Sequence, residues 1–182
     1  RKTTAFFEPA LDYLVCKVPR WDLTKFSGSV KELGSEMKSV GEVMAIGRTF
    51  PEVLQKALRM LDVGVNGLDP DAYVFPDRDR ELRHATPRRV FAIAAALRDG
   101  KSIEEVHELT RVDPWFLREI AATMEMHEKL AACAEAPGPG LLLDAKRMGY
   151  SDPMIDQLTR QPRGTAREAR AAAGIRPQFA QI

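Results

Sequence analysis

The sequence predicts a mainly α chain, a bundle of five to seven short helices preceded by a short α+β segment. Three observations carry this. Apolar residues group in short β-suited runs up to about Gly47 and then recur at three and four residues. Proline and capping residues open most later segments, and glycine closes several of them. The helices so marked are too short to stand alone, so their apolar faces must pack on one another.

Leu11 to Val18 is rich in residues that suit a pleated surface and is expected to be a buried strand stopped by Pro19. Lys38 to Gly47 reads as a loop entering a second short strand, with Gly41 and Gly47 as breakers. Pro51 then opens a helix through Val53, Leu54, Ala57, Leu58 and Leu61, with Gly64 as its stop.

Asn66 to Pro70 and Pro76-Asp77 form a turn-rich connection, placing a boundary near Gly64 between segments 1–64 and 65–182. Beyond it, Thr86-Pro87 begins a helix that runs through Val90, Ile93 and Leu97 to Gly100. Ser102 caps the next, and Glu105 three residues later completes a capping box. Asp113-Pro114 starts the longest helix, which Pro137 to Gly140 terminates. Leu141–Met148, Pro153–Leu158 behind a Ser151 or Asp152 cap, and Thr165–Ala173 supply three more.

Composition removes several function classes. The 182 residues carry 27 Lys plus Arg against 26 Asp plus Glu, a net charge of +1 that gives no broad case for nucleic acid or an anionic membrane. The apolar run Val90 to Leu97 falls well short of the roughly 20 residues that span a bilayer. Cys16 and Cys133 lie far apart outside any CxxC and are read as reduced thiols of a cytosolic protein. Arg1 and the residues after it carry no start signal, so the chain is expected to be an internal piece of a longer polypeptide.

Candidate sites are few. His84, His107 and His127 lack zinc-site spacing, and no GxGxxG, GxxxxGK[ST] or GxSxG occurs. Asp12, Asp22, Glu32, Glu36 and Glu42 are carboxylates that the sequence gives no reason to bring together. Glu42 stands out, because a carboxylate between Gly41 and the apolar Val43 to Ile46 needs either bulk water or a wet cavity. Both readings stay open on spacing alone. Ser102 to Ile120 imitates a helix-turn-helix, the basis of an alternative reading as a small DNA-binding or adaptor protein. Its second helix, however, opens on Pro114-Trp115-Phe116 and offers only Arg118 as an early basic reader.

Several strings together resemble a known family: Phe7 to Tyr13, Lys17 to Trp21, Lys25-Phe26, Met37 to Arg48, and Gln55 to Arg59. They are similar to the carbamoyl-phosphate synthase large subunit at the end of its first ATP-grasp domain. Downstream, Asp113 to Leu117, Ala145 to Asp152 and Gly174 to Pro177 resemble the helical oligomerisation domain of that family.

The resemblance implies that 1–64 closes the carboxyphosphate synthetase domain and 65–182 is the oligomerisation domain. The parent makes carbamoyl phosphate from bicarbonate, glutamine-derived ammonia and two ATP, for arginine and pyrimidine synthesis. Its ATP and Mg²⁺ or Mn²⁺ ligands precede this chain, so no catalytic, cofactor or metal residue is expected here. Met37 and Glu42 align with residues that line the interior tunnel; Lys38, Ser39 and Arg48 take no assigned role. Implied partners are the rest of the large subunit, the glutaminase small subunit and further copies through the helical domain, with no nucleic acid and no membrane. The implied location is cytoplasmic.

Overall fold

A computed structural model describes residues 13–21 and 32–178 of the chain. The readings of Phe7 to Asp12, Asp22 and Lys25-Phe26 lie outside the described residues. In chain order the elements are β1 (Leu14–Arg20), β2 (Gly41–Gly47), α1 (Phe50–Met60), α2 (Arg78–Arg83), α3 (Arg89–Arg98), α4 (Ile103–Thr110), α5 (Pro114–Ala131), α6 (Pro139–Arg147), α7 (Asp152–Leu158) and α8 (Thr165–Ala172). The architecture is mainly α with one small sheet, as the sequence predicts.

β1 and β2 pair antiparallel, with Leu14 opposite Gly47 and Arg20 opposite Gly41. Alternation turns Cys16, Val18, Val43 and Ala45 toward the helices. It leaves Val15, Met44 and Ile46 exposed on the other side. β1 is therefore not the buried strand its composition suggests, since only one of its faces has helices to pack on. Pro19 does not stop it either: it sits in the ladder opposite Glu42.

Five of the eight described helices start on a side-chain cap. Thr49, Asp77, Ser102, Asp113 and Ser151 accept backbone N–H groups as N-caps of α1, α2, α4, α5 and α7. Ser102 and Glu105 form the expected reciprocal capping box, at 3.1 and 2.7 Å. α2 is an addition to the expected set. Arg78–Arg83 carries a single buried apolar residue, Leu82, too little to announce a period.

Two cores share α5. The first joins the inner sheet face to α1, α3, α4 and the first half of α5, around Leu58, Leu82, Phe91, Val106 and Leu117. It runs across the expected Gly64 boundary, since Leu54, Leu58 and Leu61 share it with Leu68, Leu82 and Phe91. The second gathers Met126 and Leu130 of α5 with Leu142, Ala145, Tyr150, Met154, Ile155 and Ala166. An 18-residue helix is about 27 Å long, which lets one element serve both.

Candidate functional site

The densest polar arrangement near the expected tunnel block forms where β2 hands over to α1. Thr49 caps the helix by accepting the Glu52 N–H at 3.4 Å. Glu52 accepts the Arg48 N–H at 2.9 Å and pairs with Lys56 at 2.5 Å, and Lys56 also donates to the Ile46 carbonyl at 3.1 Å. Burial works to raise the Glu52 carboxyl, but the Lys56 ammonium and the Arg48 N–H outweigh it and hold it below its usual range. Gly47 is required here, because a Cβ would fall 2.7 Å from the Glu52 side chain and 2.9 Å from Val53. Glu52 and Lys56 thus clamp this junction; sequence reasoning misses them, although their i,i+4 spacing is the signal that finds such a pair.

Of the two residues aligned with a tunnel, Met37 is 91% exposed and Glu42 lies on the outer sheet face, 2.9 Å from Lys17. Both partners of that pair are more than half exposed. The register explains it: Glu42 is two residues from Met44, the residue opposite Lys17, so the carboxylate reaches diagonally across the face. Lys38 donates to the Glu32 carbonyl at 3.1 Å, and Arg48 contributes its backbone N–H rather than its guanidinium. Val15, Met44 and Ile46 flank the Lys17–Glu42 pair, making a face of apolar residues around one ion pair.

The helix-turn-helix segment does form two helices around a turn, with Arg111 taking a left-handed conformation at φ 60°. Its second helix, however, opens on an aromatic cluster. Phe50 lies 5.7 Å from Trp115 and 5.3 Å from Phe116, and the last two rings are 5.0 Å apart. That surface offers stacking and apolar contact where a recognition helix presents hydrogen-bonding groups.

The histidines do not converge. His84 meets Glu32 at 3.1 Å, His107 meets the Val112 carbonyl at 2.7 Å, and His127 is buried with Nδ1 unpartnered. Among the described residues no group of three His, Cys, Asp or Glu side chains could hold a metal ion. Cys16 and Cys133 are both free, and burial pushes the Cys16 thiol up. No helix among the described residues is long and apolar enough to cross a membrane.

A cavity of about 540 Å³ opens between β1, α1 and α3, floored by Leu54, Leu58 and Phe91 with Arg20 and Arg88 among its lining. The Arg88 guanidinium lies 4.6 Å over the Tyr73 ring, a cation–π contact that fixes this side of it.

Comparison with known proteins decides the family. Residues 42–174 match the oligomerisation domain of the carbamoyl-phosphate synthetase large chain. The chain belongs to this family. The match begins in β2 and ends just after α8, taking in all eight helices described.

The chain is 43% identical over 182 residues to the carbamoyl phosphate synthase large chain of Methanothermobacter thermautotrophicus, covering 100% of this chain and 17% of that protein. It is 43% identical over 185 residues to the mitochondrial arginine-specific large chain of Neurospora crassa, covering 100% of this chain and 16% of that protein. With the human mitochondrial carbamoyl-phosphate synthase [ammonia] it shares 42% over 188 residues, 100% of this chain and 12% of that protein. The chain therefore spans less than a fifth of the length of these relatives. The helix-turn-helix alternative is not favoured, since the segment that suggested it lies inside the family match.

Proposed function

We propose that this chain is a non-catalytic structural joint of a carbamoyl-phosphate synthase large subunit. Residues 1–64 close its first ATP-grasp domain, and 65–182 form the oligomerisation domain that links the two synthetase halves and supplies subunit contacts. The parent is a cytoplasmic, glutamine-hydrolysing ligase that uses ATP and Mg²⁺ or Mn²⁺ to make carbamoyl phosphate. It pairs with a glutaminase small subunit and binds neither nucleic acid nor membrane. The observation that carries this reading is the family match over residues 42–174, across one continuous helical scaffold.

Met37 and Glu42 line the passage between the parent's two active sites. Their exposure supports this, because a passage wall needs side chains that the local core has not claimed. The outer face of Val15, Met44 and Ile46 supports the assignment of 1–64, being the surface on which the rest of a larger sheet domain packs.

Three experiments test the reading. Mass spectrometry with multi-angle light scattering on the 182-residue chain is expected to give dimers or larger species of a 20.3 kDa chain. The same sample should not bind and hydrolyse Mg²⁺-ATP; tight binding with turnover sinks the assignment. In a full-length large subunit, Met37→Trp should obstruct passage, lowering carbamoyl phosphate output while bicarbonate-dependent ATP hydrolysis continues.

A further inference from the structure

The α6–α7 corner and the end of α8 meet in a partly buried ionic knot. Asp152, the first residue of α7, receives Lys146 Nζ on Oδ1 at 2.7 Å. Its Oδ2 receives Arg170 Nε and Nη2 at 3.3 and 3.1 Å. Lys146 also donates to the Tyr150 carbonyl at 2.7 Å. All three side chains are mostly buried, at 19% exposure for Asp152 and Arg170 and 25% for Lys146.

Arg170 grips the departing chain twice more. Its carbonyl accepts the Ile175 N–H at 3.0 Å while Gly174, at φ +69°, donates to Ala171 at 3.1 Å, the paired bonds of a Schellman motif. Its Nη1 then donates to the Ile175 carbonyl at 3.0 Å. Both backbone polar groups of Ile175 are therefore held by one residue, which is itself held by Asp152. The Ile175 side chain packs on the second core.

We propose that Asp152 and Arg170 form a conformational latch that fixes the path of the chain as it leaves α8 and locks it to the α6–α7 corner. A Schellman motif alone ends a helix but leaves the next carbonyl free to reorient. Here the guanidinium fixes that carbonyl, and its planar fork can do so only while Asp152 holds its other edge. Lys146 sets Asp152 in turn, so the three residues act in series from corner to exit. Asp152 and Arg170 are positioning residues, and what they position is the segment from Gly174 onward. The latch stands on these contacts alone and does not depend on the identity of the parent enzyme.

Amide hydrogen exchange on the folded 182-residue chain tests this. Asp152→Asn and Arg170→Met are expected to raise exchange at the Gly174 and Ile175 amides at least tenfold while amides of α5 stay protected. Arg170→Lys keeps the charge but not the fork and should give an intermediate increase. Lys146→Met, which removes only the distal arm, should give a smaller one. Arg160→Met, a surface control, should change nothing. The proposal is overturned if Arg170→Met leaves the Gly174 and Ile175 amides as protected as in the parent chain. It is equally overturned if the variants loosen α5 as much as the exit segment, because the knot would then merely stabilise the second core.

Discussion

The Tyr150 hydroxyl donates to the Thr123 carbonyl across 2.6 Å, tying the α6–α7 corner to the middle of α5, where the two cores meet. Tyr150 is 1% exposed, and burial pushes its phenol well above the ordinary range, so it acts as a fixed donor at any working pH. Tyr150→Phe removes the donor and leaves the ring. Thr123 lies within α5, where its carbonyl also serves the helix ladder, so the loss is a single hydrogen bond, about 1 kcal/mol. Urea unfolding should show a lower midpoint with an unchanged slope; a loss above about 3 kcal/mol would mean that the corner itself moves.

His127 makes stability depend on pH. It is 4% exposed, and burial lowers its pKa against the opposing pull of Asp69, Glu128 and Asp71, with Arg98 adding to the lowering. The folded chain thus holds it neutral at pH values where the unfolded chain, titrating near 6.5, already binds a proton. Stability is full above the unfolded value and falls as pH drops through it toward the depressed folded value. The urea midpoint should decline as the pH is lowered through the ordinary histidine value of 6.5, and His127→Leu should flatten that decline. An equal slope in both proteins would remove His127 as its source.

Signals that act within four residues were legible in the sequence. The Ser102–Glu105 capping box, the Asp113-Pro114 start of α5 and the left-handed Gly100 after α3 came through because each is a local backbone requirement. What sequence reading missed depends on partners far along the chain. Glu42 stands out in sequence as a carboxylate beside an apolar run, but its Lys17 partner does not, because only the register sets the two diagonally across the outer face. Pro19 reads as a stop, yet a two-stranded sheet has an edge on each strand, and an edge tolerates a residue without N–H. The aromatic cluster was half visible: Trp115 and Phe116 are neighbours in sequence, while Phe50 joins them only through the packing of α1 on α5. The Asp152–Arg170 pair joins residues on different helices, with no spacing rule to announce it.

The α4 cap should carry a measurable share of first-core stability. Ser102→Ala leaves the Glu105 N–H without its side-chain acceptor and removes half of a reciprocal pair, at a cost of about 0.5–2 kcal/mol. Glu105→Gln keeps a side-chain acceptor for the Ser102 N–H, so it should cost less than the serine variant. Thermal unfolding of the two variants beside the parent chain checks the order. The reverse order would place the energy in the carboxylate's charge rather than in the serine cap.

Two glycines of like backbone conformation should respond very differently to the same substitution. Gly100 and Gly149 both end helices at positive φ, +97° and +87°. A left-handed conformation costs an L-residue about 1–2 kcal/mol wherever it occurs. At Gly100 the added methyl meets open space, so Gly100→Ala should cost only that. At Gly149 a Cβ would stand 2.9 Å from the Cα of Glu52 and 3.0 Å from its carbonyl oxygen, where backbone rather than a mobile side chain must yield. Relief requires α1 and the α6–α7 corner to separate, straining the Ser151–Asn66 and Tyr150–Thr123 bonds nearby. Overpacking of this kind adds about 1–3 kcal/mol, so Gly149→Ala should lose roughly twice as much as Gly100→Ala in urea unfolding. Equal losses would mean that the corner rides on α1 loosely enough to absorb a methyl group, and that close approach is not what demands glycine at position 149.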